Sequence, residues 1–416
     1  VVTPSSPVGI PSRPELCGAI AAAIAAAPHQ RLTFAQYMEM ALYHPTYGYY
    51  SARPGLGHQG DFVTASHLGS DFGELLGKQV VEMWERLDRP HPFDIVEMGP
   101  GQGQLAAALL DYLKRTYPDC GAALQYTLVE TSPALRQIQQ QCLRPWQEQG
   151  VPLQWRELSQ IAPETWTGCV LSNELVDALP VHRVVLTATG LQEQYVTLAS
   201  PDEDRSPVSK DDRPFTSCLG PLSTPALEDY LQQGGITLAP PTYPLGYLTE
   251  VNLAALDWLA EVARCLRQGY VITIDYGYPA QRYYSPHRRE GTLQCYWQQS
   301  HHDDPLIGVG YQDITAHVDF TALQWQGERC SLQPLGFTQQ ALFLMALGLG
   351  DRLNNLAQLT STDGDTLRYT LQRRETLHQL INPLGLGNFG VLIQGKGLTP
   401  AALAQPLRGL TANPFP

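Results

Sequence analysis

No stretch of this 416-residue chain approaches the roughly 20 consecutive apolar residues that cross a bilayer. Lys and Arg form no cluster, and the formal net charge is -13, which argues against nucleic-acid binding because phosphate neutralisation needs grouped cations. A basic partner surface suits such a chain better. The eight cysteines stand singly, with no Cys-x-x-Cys pair to suggest structural zinc or a redox dithiol. No Gly-Lys-Ser/Thr follows any glycine turn, so the P-loop is excluded. No internal repeat is evident. The run His301-His302-Asp303-Asp304 is a poor metal cluster, because adjacent side chains diverge, and no metal is expected. The apolar segment Ala19 to Ala27 is too short for a membrane span. Ile20 and Ile24 sit four apart after Glu15, the spacing of a packing helix rather than a signal-peptide core.

What is present is a strand, a glycine turn and a helix between residues 93 and 113. Phe93, Ile95, Val96 and Met98 make a compact run suited to a buried parallel strand. Gly99, Pro100, Gly101 and Gly103 follow, and Leu105, Ala108, Leu109, Tyr112 and Leu113 then repeat at helical spacing. Such a turn admits close ligand approach and places free backbone N–H groups at its mouth.

The same alternation recurs downstream and predicts an α/β fold of the doubly wound kind. Upstream, Thr33 and Gln36 form a capping box for a helix that ends near His44-Pro45. A second amphipathic helix runs through Phe72, Leu76, Val80 and Met83. Strands are expected at Leu124 to Glu130, Leu153 to Arg156, Cys169 to Glu174, Tyr270 to Tyr276, Gln333 to Phe337 and Phe389 to Gln394. Ser132-Pro133 opens a helix, and another is expected from Thr249 to Arg267, stopped by Gly269. Val181 to Leu186 and Leu191 to Leu198, around Thr189-Gly190, read as an inserted β-hairpin. The expected organisation is residues 1–90 as tail, helices and active-site lid, 91–180 as the first part of the core, and 181–248 as an insertion. Residues 249–416 form the second part of the core, with a loop insertion at 278–330.

Spacing decides between cofactors. Gln104 stands where the dinucleotide pattern Gly-x-Gly-x-x-Gly has its third glycine, which weakens the case for NAD. An acid at the strand end, Glu97, followed by alternating glycines suits S-adenosylmethionine. Glu130, at the end of the second strand, is placed to receive ribose hydroxyls. Ligands in open parallel sheets lie beyond the carboxyl ends of the strands, where Asn173, Glu174 and Asp177 are expected. For Glu174 the competing reading is a helix-start acid favoured by the macrodipole. The glycine- and aromatic-rich passage from Tyr47 to Ser66 reads either as a decorated surface loop or as a lid bringing Asp61, Thr64 and Ser66 toward the cofactor.

Several motifs together resemble the MidA-type methyltransferases. They are Tyr43-His-Pro-x-x-Gly-Tyr-Tyr50, Gly60-Asp-Phe-Val-Thr-Ala-Ser66, Glu97-Met-Gly-Pro-Gly101, Leu128-Val-Glu-x-Ser-Pro133, Asn173-Glu-Leu-Val-Asp-Ala-Leu-Pro180 and Asp313-Ile-Thr-Ala-His-Val-Asp-Phe320. The resemblance covers roughly residues 31 to 395. It implies a Rossmann-like class I methyltransferase sheet with helices on both faces, an N-terminal helical lid and an inserted hairpin region. It also implies cofactor contacts from Glu97, Gly99, Gly101 and Glu130, with Asp61 near the site. Mitochondrial members of that family are protein arginine methyltransferases acting on a core subunit of respiratory complex I during assembly. The resemblance therefore implies a protein acceptor, in the bacterial cytoplasm or the mitochondrial matrix. This chain departs from the family pattern at Gln102, at His67 and at Leu386-Gly-Asn-Phe389.

If arginine is the acceptor, its guanidinium needs planar carboxylates, and Glu174 with Asp177 or Asp61 is the candidate set. A small-molecule O- or N-methyltransferase closing Tyr47, Tyr49, Tyr50 and Phe62 over its substrate is the first alternative. An assembly chaperone that binds the cofactor without turnover is the second.

Overall fold

A computed structural model of the protein describes residues 10–52, 65–199, 213–298, 300–358 and 363–411. The chain divides into two compact units, one formed by residues 63–175, 258–277 and 323–416 and the other by residues 1–62, 176–257 and 278–322.

The first unit is built on seven strands. They are β1 (Phe93–Met98), β2 (Leu124–Val129), β3 (Leu153–Arg156), β4 (Trp166–Asn173), β5 (Leu266–Asp275), β6 (Gln333–Gln339) and β7 (Gly390–Lys396), arranged in the order β6-β7-β5-β4-β1-β2-β3. All neighbours from β5 to β3 run parallel, whereas β7 is antiparallel to both β5 and β6. Every residue of β1 is buried, as are all of β4 except Asn173, so both faces of the central strands are covered.

Helix α1 (Ser70–Arg86) packs against α2 (Gln104–Thr116), and α3 (Pro133–Glu148) leads from β2 toward β3. Phe72 and Leu76 from α1, Leu105, Leu109 and Leu113 from α2, and Phe93 and Ile95 from β1 belong to one apolar core. Burying each of these side chains is worth about 1.5–3 kcal/mol, enough together to hold the strand end and the turn after it in one place. Ser132 caps α3, its Oγ accepting from the Leu135 amide, with Pro133 in the first turn.

One expected element is different. The segment Leu248–Val251 is a strand, the helix begins only at Leu253, and β5 already starts at Leu266. Asn252 marks the change, its Oδ1 accepting from the Ala255 amide. Gly269 therefore lies within β5 rather than after a helix. It has φ +141° and sits so near Gly168 of β4 that a Cβ would lie 1.9 Å from that residue's carbonyl oxygen, a contact only glycine allows.

The second unit carries a five-stranded antiparallel sheet in which the hairpin His182–Thr187 and Gly190–Leu198 pairs with Leu248–Val251, Phe215–Gly220 and Leu32–Thr33. The helix Phe34–Tyr43 has the expected capping box, with both reciprocal bonds between Thr33 and Gln36 present. The helix Pro14–Ala26 buries Leu16, Ile20 and Ile24, the packing stripe expected of that segment. Residues 278–330 are more regular than a loop, since Gln294–Trp297, Ser300–His302 and Asp313–Thr315 form a small sheet.

Candidate active site

In the seven-stranded sheet the chain moves outward from β1 to β2 and β3, then crosses back to place β4 on the other side of β1. The ends of β1 and β4 therefore form a topological switch point, the position at which open parallel sheets bind ligands. Met98 pairs with Val129 and with Ser172, and Ile274 with Asn173, so Glu97, Glu130, Glu174 and Asp275 come to the same sheet edge, as expected.

The glycine turn leaves β1 in left-handed backbone. Gly99, Gly101 and Gly103 have φ of +63°, +52° and +83°, which other residues adopt only with strain. The turn is closed by the Gly103 amide donating to the Pro100 carbonyl at 2.8 Å. A Cβ on Gly101 would meet nothing within 4 Å, so the backbone there borders open space into which a ligand can approach.

The two expected cofactor acids are both buried but differently held. Glu97 is only 4% exposed, and its Oε2 accepts from the Tyr126 hydroxyl at 2.7 Å. Burial pushes its carboxyl up to about 7, against which the tyrosine bond acts. Glu130 is 8% exposed. Its Oε1 accepts from the Ser132 amide at 2.8 Å and its Oε2 from Gln139 Nε2 at 3.1 Å, while Arg136 grips the backbone carbonyl through Nε at 2.8 Å. Burial raises this carboxyl as well, and the donated bonds oppose the shift. The Thr131 amide adds a third donor, and since a carboxylate has about four lone-pair sites, the three do not saturate it.

Across the switch point, β4 ends in Asn173 and Glu174. Glu174 has φ +53°, a conformation that costs a residue with a side chain of order 1–3 kcal/mol. Its amide donates to the Ile274 carbonyl at 2.9 Å, and its Oε1 accepts from the Ala65 amide at 3.1 Å and from Asn173 Nδ2 at 3.0 Å. Burial, reinforced by the nearby negative charge of Asp275, pushes the Glu174 carboxyl up to about 8. Asp275 in turn braces the next residues, accepting from the Leu175 and Tyr276 amides at 3.2 and 2.9 Å. No helix begins at Glu174. The left-handed turn passes into the 3-10 segment Val176–Ala178, which disfavours the helix-start reading of that acid.

Among the buried polar atoms without a hydrogen-bond partner are Asn173 Oδ1 and Gln104 Oε1 at this edge. Unpartnered acceptors in this place fit a ligand bearing N–H or O–H donors. An ammonium-bearing, ribose-bearing cofactor such as S-adenosylmethionine has both. Gln104 opens α2 with its side chain in the place a dinucleotide fold keeps for glycine.

Asp61 and Thr64 lie outside the described residues, as does the side chain of Ser66. Asp177 is buried in the second unit, where its backbone carbonyl accepts from the Ala316 amide. Conversely, sequence reasoning did not single out Gln139 or Tyr126. The signal for Gln139 was present, because Leu135, Gln139 and Leu143 recur every four residues and all three are buried, placing an amide on an apolar stripe.

Among the described residues no helix is long and apolar enough to cross a membrane. Residues 75–338 match the family described as "Putative S-adenosyl-L-methionine-dependent methyltransferase". The chain is 32% identical over 341 residues to the mitochondrial protein arginine methyltransferase NDUFAF7 homolog of Drosophila melanogaster, covering 77% of this chain and 72% of that one. It is 29% identical to human NDUFAF7, a mitochondrial protein arginine methyltransferase, over 87% of this chain and 80% of that one. A crystal structure from Burkholderia thailandensis bound to S-adenosyl-homocysteine matches with a TM-score of 0.79 at 30% identity, covering 95% of this chain and 94% of that one. The glycine turn, the paired acids and these likenesses converge. The chain belongs to this family of S-adenosyl-L-methionine-dependent methyltransferases, and S-adenosylmethionine is its cofactor.

Proposed function

We propose that this methyltransferase modifies an arginine of a protein acceptor, with Glu174 as the carboxylate that receives the guanidinium. The observation that carries the reading is the Glu174 carboxyl itself, at the switch-point edge of the sheet and in strained backbone, where burial pushes it up to about 8. Supporting it, the curated relatives described above are named protein arginine methyltransferases.

When bound, S-adenosylmethionine supplies a methyl group on a positively charged sulfur, so the protein needs to do little covalent work. Gly99, Pro100, Gly101, Gly103 and Glu97 would hold the amino-acid end, Glu130 the ribose, and Asn173 Oδ1 a donor of the cofactor. Glu174 would orient the acceptor nitrogen for in-line attack. As the N–C bond forms and the C–S bond breaks, the nitrogen's proton passes to the Glu174 carboxylate, whose affinity for protons near neutrality suits a general base. An arriving guanidinium lowers the Glu174 pKa by charge and ionises it. Asn173 steadies the Oε1 end.

The acceptor we favour is a subunit of an NADH-dehydrogenase-type respiratory complex, in the bacterial cytoplasm or the mitochondrial matrix. Incubation with labelled cofactor and lysate from a strain lacking the protein, followed by mass spectrometry, should place the label on arginine. Label on lysine or on a small molecule would overturn this reading. Glu174→Gln should lower turnover by about 10²- to 10⁴-fold with S-adenosyl-homocysteine affinity nearly unchanged, and unaltered turnover would sink its role. Asp177→Asn tests the second carboxylate of the sequence reading in the same assay.

A further inference from the structure

We propose that Gln139 is a positioning residue that locks the glycine turn to the ribose-binding acid, so that the methyl donor is held at both ends by one side chain. The proposal rests on reading Gly101 and Glu130 as cofactor contacts. Gln139 lies on α3, fully buried at 0% exposure. Its Nε2 donates to the Gly101 carbonyl at 2.7 Å and to Glu130 Oε2 at 3.1 Å. Its Oε1 accepts from Trp155 Nε1 at 3.0 Å, which fixes the amide's orientation from β3. The backbone and side chain of Gln139 also back the last glycine, with its Cα 3.6 Å from where a Gly103 Cβ would sit.

This geometry does more than fill the core. A leucine of similar size would pack there, but it would leave the Gly101 carbonyl, one Glu130 oxygen and the Trp155 indole N–H without their partner. The two Nε2 hydrogens reach two different elements, the turn after β1 and the end of β2. Moving either element would break one of them. Gln139 thereby sets the separation between the site of the cofactor's amino-acid end and that of its ribose. Its bond to Glu130 also favours the ionised carboxylate, which is the form that accepts from both hydroxyls. The charged groups facing Glu130 are Arg136 on α3 and, beyond it, Glu157, 3.4 Å from the Arg136 guanidinium. Neither can replace the amide at Oε2.

Binding of S-adenosyl-homocysteine, measured calorimetrically across pH on the full chain, tests the idea. Gln139→Leu should weaken binding by about 10-fold and move the loss of affinity on acidification to higher pH, because Glu130 loses a donor. A merely structural role would lower thermal stability without moving that profile. Should Gln139→Leu fail to fold, Gln139→Glu keeps the shape and the acceptor for Trp155. Its affinity deficit should then grow from about pH 5 to about pH 9, as ionisation removes its last donor hydrogen. Wild-type affinity and pH profile in the folded variant would overturn the proposal. Glu130→Gln separates the two readings. If it binds as the wild type does, the assignment of Glu130 fails, whereas weakened binding there beside an unaffected Gln139 variant refutes only the brace.

Discussion

The two sides of the switch point are built in opposite ways. On the β2 side, Glu130 receives a backbone amide and a buried side-chain amide, and its own carbonyl is gripped by Arg136. On the β4 side, Glu174 sits in left-handed backbone, its carboxyl takes both donated bonds on one oxygen, and the neighbouring Asn173 Oδ1 has no partner. A site that must hold the same cofactor in every cycle gains from rigidity that is satisfied before binding. A site that must accept a proton gains from a carboxyl whose basicity is raised, and burial together with the Asp275 charge raises that of Glu174. On the proposed assignment of the two acids, the difference separates binding from chemistry along one sheet edge.

The sharpest way to break this contrast is to truncate both acids and compare the unliganded proteins. Glu130→Ala should destabilise by about 2 kcal/mol, because the Ser132 amide and the Gln139 amide lose their acceptor in a buried place. Glu174→Gly should change stability by less than about 1 kcal/mol while abolishing turnover, because relief of the left-handed strain and removal of a desolvated carboxyl offset the acceptor lost to the Ala65 and Asn173 amides. Equilibrium denaturation at neutral pH reads both. Two losses of equal size would erase the contrast.

A further effect appears in the pH dependence of stability. Burial raises Glu97 to about 7 and Glu174 to about 8, both above the ordinary glutamate value of 4.5. Between the ordinary value and these values the folded chain holds protons that the unfolded chain has released, so stability falls as pH rises through that window. In Glu174→Gln the decline should end near about 7, where Glu97 has ionised. A melting series that shows the same upper limit in both proteins would remove Glu174 from the account.

Much of this edge was legible in the sequence. The strand Phe93 to Met98, its glycines, and the acids at 97, 130 and 174 follow from local periodicity and spacing, and the sheet places them together. Less legible were features set by contacts between distant segments. Thr249 to Val251 reads as the start of a helix that runs on to Arg267, yet pairing with the hairpin strand His182–Thr187 makes Leu248–Val251 a strand. Gly269 reads as a helix stop, and its actual reason, the approach of β4, exists only once the sheet forms. Gln139 and Tyr126 were missed for the same cause, since the groups they hold arrive from other elements.

Tyr126 gives the finest test of the contrast, because it braces the one acid that shares features of both sides. Like Glu130, Glu97 is held by a donor, and like Glu174 it is raised toward neutrality by burial. Tyr126→Phe deletes only the hydroxyl, with the ring still packed in the core. The lost bond favoured the ionised carboxylate, so the Glu97 pKa should rise further and the stability at about pH 8 should drop by about 1 kcal/mol, with little change near about pH 4 where the group is protonated in both states. Carboxyl chemical shifts followed through a pH titration check the first effect and denaturation at the two pH values the second. If Glu97 belongs with the braced binding acids, S-adenosyl-homocysteine affinity should fall with it, and an unchanged affinity would instead make the Tyr126–Glu97 pair part of the core alone.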